Sequence, residues 1–156
     1  WIQPCKYGEN TEMNMFIDTS ALFALLVSND YMHVRAKGLF QLMLNHPIEF
    51  HITSYVLLET VALLQSRVGL DAARIFQHEF VPALNVNWVN QDLHEKAFRR
   101  LELRGKRDVS LVDYTSFVWM EENATTYVMA YDDHFKDEGF SILGHPDDFS
   151  RISTEN

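Results

Sequence analysis

Four carboxylates in this 156-residue chain stand where ordinary surface roles do not account for them. Asp18 is the only charge between Met13 and Asn29. Glu59 is the only charge from Ile52 to Ser66, and its neighbours at helical spacing are Tyr55, Val56, Ala62 and Leu63. Asp113 is the only charge from Val109 to Met120, and Asp132 closes the run TYVMAY. Carboxylates are seldom buried unless paired or bound to a cation. No Lys or Arg lies within helical reach of Glu59, or of Asp113 on its C-terminal side. If the four acids converge, their repulsion calls for a cation, and oxygen-only ligation favours Mg²⁺ or Mn²⁺ over zinc. Three of them also have purely structural readings. Asp18 can be a helix N-cap, Ser110 and Asp113 match a capping box, and Asp132 and Asp133 can be loop residues. Glu59, in mid-helix, has no capping role to fill.

Convergence depends on the elements that carry these residues. Short strand-like runs alternate with longer helical patterns: strands at 13–18, 49–53, 85–89, 126–131 and 140–143. Helices are expected at 19–28, 30–45, 54–67, 71–80, from a cap at Asn90 to Arg104, and at 110–122. Strands joined through helical crossovers predict an α/β domain with a mostly parallel, buried sheet in a three-layer arrangement. In such a sheet ligands collect at the carboxyl edge. Asp18 and Asp132 end strands, and Glu59 and Asp113 lie in early turns of helices entered from that edge, so all four can meet there.

Composition bounds the rest. A mass of 18.2 kDa with 47% apolar residues predicts one folded domain, and disorder throughout is excluded. Residues 13–146 are read as the domain, 1–12 as an N-terminal extension and 147–156 as a polar, frayed tail. The net charge of −9 excludes promiscuous attachment to nucleic acid or anionic lipid through the global field, though not a local contact. The lone cysteine, Cys5, cannot form an internal disulfide. The longest apolar run, Ala21 to Val27, is far too short for a membrane span, and a cytoplasmic setting is expected.

At its four acids the sequence resembles the PIN-domain ribonucleases, specifically the VapC-type toxins of bacterial toxin–antitoxin pairs. The matching segments are FIDTSALFALL around Asp18, TSYVLLET around Glu59, DVSLVDYTSF around Asp113 and YDDHF around Asp132, in the family's order and spacing from Met13 to about Leu143. The resemblance implies an α/β/α sandwich in which Asp18, Glu59, Asp113 and Asp132 are catalytic, metal-holding acids. It assigns supporting roles to the hydroxyls of Thr19, Ser20 and Ser116 and an indirect one to Asp108, and the adjacent Asp133 leaves the choice between it and Asp132 open. It further implies Mg²⁺- or Mn²⁺-dependent hydrolysis of RNA phosphodiesters, a small antitoxin protein as partner and a homodimer.

An acidic chain needs a local place for a phosphate. Arg99, Arg100, Arg104, Lys106 and Arg107 cluster just before Asp108, and Lys96, Arg100 and Arg104 align on one helix face. That stripe is the expected RNA contact, with a solvated helix end as the equal alternative. The seven histidines are scattered singly and read as surface or structural residues, with His134 close to Asp132. Two other functions are the alternatives: a non-catalytic PIN-like RNA-binding or assembly module, and a haloacid-dehalogenase-type phosphohydrolase. The second needs Asp-x-Asp after its first strand, where this chain has Asp18-Thr19-Ser20.

Overall fold

A computed structural model of the protein describes residues 12–154. The expectations for the N-terminal extension and for Cys5 lie outside the described residues, apart from Glu12. Five strands form one sheet: β1 (Met13–Ile17), β2 (Ile48–Thr53), β3 (Asn85–Asn87), β4 (Tyr127–Met129) and β5 (Ser141–Leu143). Their spatial order is β3-β2-β1-β4-β5, and every pairing is parallel. The central strand explains its own placement. Met15, Phe16 and Ile17 are fully buried, which suits a strand covered on both faces.

Helices flank the sheet: α1 (Thr19–Leu26), α2 (His33–Met43), α3 (Ser54–Arg67), α4 (Leu70–Ile75), α5 (Gln91–Arg104), α6 (Leu111–Glu122), α7 (His134–Asp137) and α8 (Pro146–Ser153). Their starts are fixed by side chains that satisfy free backbone N–H groups. Thr53 accepts from Val56 N at 3.2 Å, and Asn90 accepts from Leu93 N at 2.9 Å. Gly105 ends α5 in the left-handed region, φ 61°, where a side chain would be strained. α3 packs against α1, α4 and α6, and α5 lies along α6. Glu59 and Asp113 are thereby carried on neighbouring helices.

Several expected boundaries move, each for a local reason. The second helix begins at His33, not Asp30, because the Asp30 carboxylate accepts from Met32 N at 2.8 Å and holds a turn. The helix expected through Phe80 stays regular only to Ile75. It widens into a π turn over Phe76–Phe80 and a 3₁₀ turn over Val81–Ala83, where Pro82 supplies no N–H. The wide turn leaves Phe76 fully buried and stacks Phe80 on Phe40 at 6.4 Å.

The expectation of a frayed C-terminal tail is corrected. Residues Pro146–Ser153 form α8, started by a capping box in which Asp148 accepts from His145 N at 2.8 Å. Apolar side chains secure it: Phe149 is 2% exposed and meets the edge of His46 at 4.8 Å, and Ile152 packs against the core one turn on. Among the described residues no helix is long and apolar enough to cross a membrane.

Candidate active site

The sheet order fixes where a ligand can enter. From β1 the chain first builds outward through β2 to β3, then returns to place β4 and β5 on the other side. The crevice at the carboxyl ends of β1 and β4 is therefore the topological switch point. A cleft of about 550 Å³ opens there, and Asp18, Glu59, Asp113 and Asp132 all line it together with Thr19, Ser20, Asp108 and His134. The convergence expected from the sequence is what the fold produces.

Asp18 follows β1 directly and is 3% exposed. It is also the N-cap of α1, so one side chain caps the helix and lines the cleft. Its Oδ2 accepts from Ser20 N at 3.1 Å and from Ser20 Oγ at 2.6 Å. Burial pushes its carboxyl up to about 7, with further upward pressure from Asp132 and Asp113 against the hydrogen bonds from Ser20. Ser20 does a second job, because its Oγ accepts from Tyr131 N at 3.0 Å. One hydroxyl thus ties the end of β1 to the segment after β4 and fixes the distance between Asp18 and Asp132. Ser20→Ala is expected to lower the activity about 10- to 100-fold while the chain still folds, as measured by initial rates beside thermal melting.

Glu59 is half-buried on α3. Burial raises its carboxyl, Thr19 partly offsets this, and Asp113 and Asp132 push it up further. Asp113 is both cap and site residue. Ser110 N and Ser110 Oγ donate to its Oδ2 at 2.8 and 3.1 Å, and none of the hydrogen bonds uses Oδ1. Burial raises this acid too, against the backbone hydrogen bond from Ser110. Asp132 accepts from His134 N at 3.0 Å. Its neighbour Asp133 is exposed, outside the cleft, and starts α7.

His134 gains a place that its reading as a surface or structural residue did not give it. Its Nδ1 is 3.5 Å from Asp132 Oδ1 and 3.8 Å from Asp113 Oδ2, and its Nε2 is 3.4 Å from Asp108 Oδ2. Asp113, Asp132 and His134 each present a ligand atom within 4.8 Å of the others. The Nδ1 atom is buried and has no hydrogen-bond partner among the described residues. Two carboxylates and a ring nitrogen without a hydrogen-bond partner among the described residues form a donor set that suits a divalent cation. The signal available in the sequence was position: His134 stands two residues after Asp132, in the turn that enters α7.

Other expected participants are not brought to the cleft. Ser116 is buried in α6, and its Oγ donates to Val112 O at 3.1 Å. The basic stripe aligns as expected, but it faces acids of the protein itself. Lys96 pairs with Asp92 and Glu122, both at 2.7 Å, and Arg100 with Glu121 at 2.8 Å and with Glu138. Arg104 lies 3.7 Å from Glu138, whose side chain is only 8% exposed. None of Arg99, Arg100, Arg104, Lys106 and Arg107 lines the cleft. Spacing revealed the shared face of α5; it could not reveal that α6 and α7 would present carboxylates to it.

The family model for the PIN domain matches residues 15–140, and the chain belongs to the PIN domain family. Among individual proteins it is 33% identical over 127 residues to the 23S rRNA-specific endonuclease VapC20 of Mycobacterium tuberculosis strain H37Rv, covering 81% of this chain and 95% of the relative. The crystal structure of M. tuberculosis VapC20, a sarcin-ricin loop cleaving toxin, superposes with a TM-score of 0.73 at 32% identity, over 81% of this chain and 96% of that one. The fold is shared with DNA-bound VapBC from Salmonella typhimurium, TM-score 0.60 at 13% identity, over 84% of this chain and 97% of that one.

Proposed function

We propose that this chain is a metal-dependent endoribonuclease that hydrolyses RNA phosphodiester bonds, acting in the cytoplasm as the toxin of a type II toxin–antitoxin pair. The observation that carries the reading is the meeting of Asp18, Glu59, Asp113 and Asp132 in one cleft at the switch point of the sheet. The likeness to VapC20 over most of both chains supports it. A small antitoxin protein as partner and a homodimeric state belong to the same reading, as do Mg²⁺ or Mn²⁺ as the cation.

In this reading Asp113, Asp132 and His134 hold the cation, and Asp18 and Glu59 complete the charge around it or orient its waters. A divalent cation there supplies a water of lowered pKa and charge neutralisation for the scissile phosphate. The protein's own part is positional. Ser20 fixes Asp18 relative to the Tyr131–Asp132 segment, and the Ser110 cap holds Asp113 by one oxygen. No nucleophilic side chain is required, since water is the attacking group.

The test incubates purified protein with total RNA in Mg²⁺, in Mn²⁺ and in EDTA, and expresses the protein in growing cells. Discrete RNA fragments that need the metal, together with growth arrest, are the expected result; 23S rRNA is the first substrate to map. Intact RNA in both metals and normal growth would remove the reading.

A further inference from the structure

The cleft poses an electrostatic problem. Six carboxylates line it, Asp18, Asp30, Glu59, Asp108, Asp113 and Asp132, and the cationic stripe on α5 is occupied elsewhere. Among the described residues, one Lys or Arg lines the cleft, and it is Arg67. Glu59, Leu63 and Arg67 follow one another at four-residue spacing along α3, so all three lie on the cleft face, with Arg67 roughly 12 Å beyond Glu59. Arg67 forms no ion pair among the described residues; its guanidinium lies over the Phe23 ring, 5.7 Å from the centroid. That contact orients the group without neutralising it.

Next to Arg67 the cleft continues into a hollow of about 650 Å³, and the two share Phe23, Asp30, Tyr31 and Arg67 as lining residues. Tyr31 is 89% exposed, the largest exposure among the big apolar side chains of the described residues. An exposed aromatic beside an unpaired arginine, both on the rim of an acid cluster, has the composition of a single-strand subsite: cation for phosphate, ring for base.

We propose that Arg67 and Tyr31 form a subsite for the RNA strand beside the cut, Arg67 binding a phosphate that flanks the scissile one and Tyr31 stacking on an unpaired base next to it. The inference rests on the ribonuclease reading and deepens it by assigning these two residues to the nucleotides that flank the cut. A base held in a duplex already stacks on its neighbours and offers Tyr31 no free face.

Binding is read by fluorescence anisotropy with a fluorescein-labelled, mixed-sequence single-stranded RNA of about 12 nucleotides, a length such sites span. The titrations use the Asp113→Asn background, so that the RNA stays intact. Tyr31→Ala should weaken binding about tenfold, and Tyr31→Phe should keep it, because the ring alone stacks. Arg67→Ala should weaken binding and reduce the salt slope by about 0.7, the share of one phosphate on a single strand, and Arg67→Lys should restore the slope. On a duplex RNA of the same sequence Tyr31→Ala should have no effect. In the otherwise wild-type chain both Ala variants should raise KM and leave kcat nearly unchanged. Both side chains are exposed, so matching melting curves show that the fold is intact.

Single-strand binding at parental affinity in both Ala variants would overturn the subsite and leave Tyr31 as a surface for a protein partner. An equal loss on duplex and single strand at Tyr31 would overturn the stacking role. Failure of the wild type to cleave RNA in either metal would instead sink the ribonuclease reading, and the binding titrations report independently of it.

Discussion

Asp113→Asn should abolish metal-dependent RNA cleavage while leaving a folded protein. Asn preserves the shape of the side chain, and its carbonyl oxygen can still accept from Ser110 N, so α6 keeps its start. What is lost is one charge of the compact donor set Asp113, Asp132 and His134. Charge stabilisation by a bound cation is worth several kcal/mol at a transition state, and each 1.36 kcal/mol is tenfold in rate. The expected loss is therefore on the order of 100-fold or more in kcat, together with weaker stabilisation by added Mn²⁺ in thermal melts. A variant that still cleaves at the wild-type rate would remove Asp113 from the metal-holding set.

Asp18→Asn should do something less expected: stabilise the metal-free protein at neutral pH. Burial holds the Asp18 carboxyl up at about 7, against a usual value of 3.8. Between these values the folded state carries a proton that the unfolded chain has released. Stability must then fall as pH rises from about 4 to about 7 and level off above that. Glu59 and Asp113 are shifted in the same direction and add to the slope. For Asp18 alone the displacement is worth on the order of 4 kcal/mol. Asn caps a helix as well as Asp does, so the local structure does not suffer. In EDTA, the variant should melt about 5–10 °C above wild type at pH 7.5 and near it at pH 4. Saturating Mg²⁺ or Mn²⁺ should raise the wild-type midpoint and close most of that gap, because binding to the folded state alone stabilises it. A wild-type melting temperature that stays flat from pH 4 to 7.5 in EDTA would refute the account.

The two predictions share one cause. Buried, mutually repelling acids cost stability in the metal-free fold, and a cation among them would offset that cost.

How much of this was legible beforehand depends on the kind of signal. Glu59 was legible because mid-helix carboxylates among apolar neighbours have no capping use. Asp18 and Asp113 were ambiguous for a sound reason: the residue types that cap helices are those that ligate cations, and here single side chains serve both ends. The alternation of strand and helix disclosed the parallel sheet, since buried strands and crossover helices leave periodic patterns that local chemistry enforces. What long-range packing decides was not legible. The α5 stripe is periodic by itself, but its partners Glu121, Glu122 and Glu138 arrive from distant segments. Arg67 is two helical turns from Glu59 and becomes a cleft residue only because α1 and the loop after it close over the same side. α8 rests on Phe149 and Ile152, two apolar residues one turn apart, and their burial depends on packing against α2, far away in the chain.

The four acids come from four separate stretches of chain, with Asp18 and Glu59 first and Asp132 last. β4, which delivers Asp132, is also the strand that turns β1 from an edge into the centre of the sheet. During synthesis the first hundred or so residues can therefore emerge with Asp18 and Glu59 in place and no complete cluster to go with them. At about 5–20 residues per second, the stretch from Glu59 to Asp132 takes several seconds to add. A chain interrupted before β4 carries no complete cluster and should not cleave RNA.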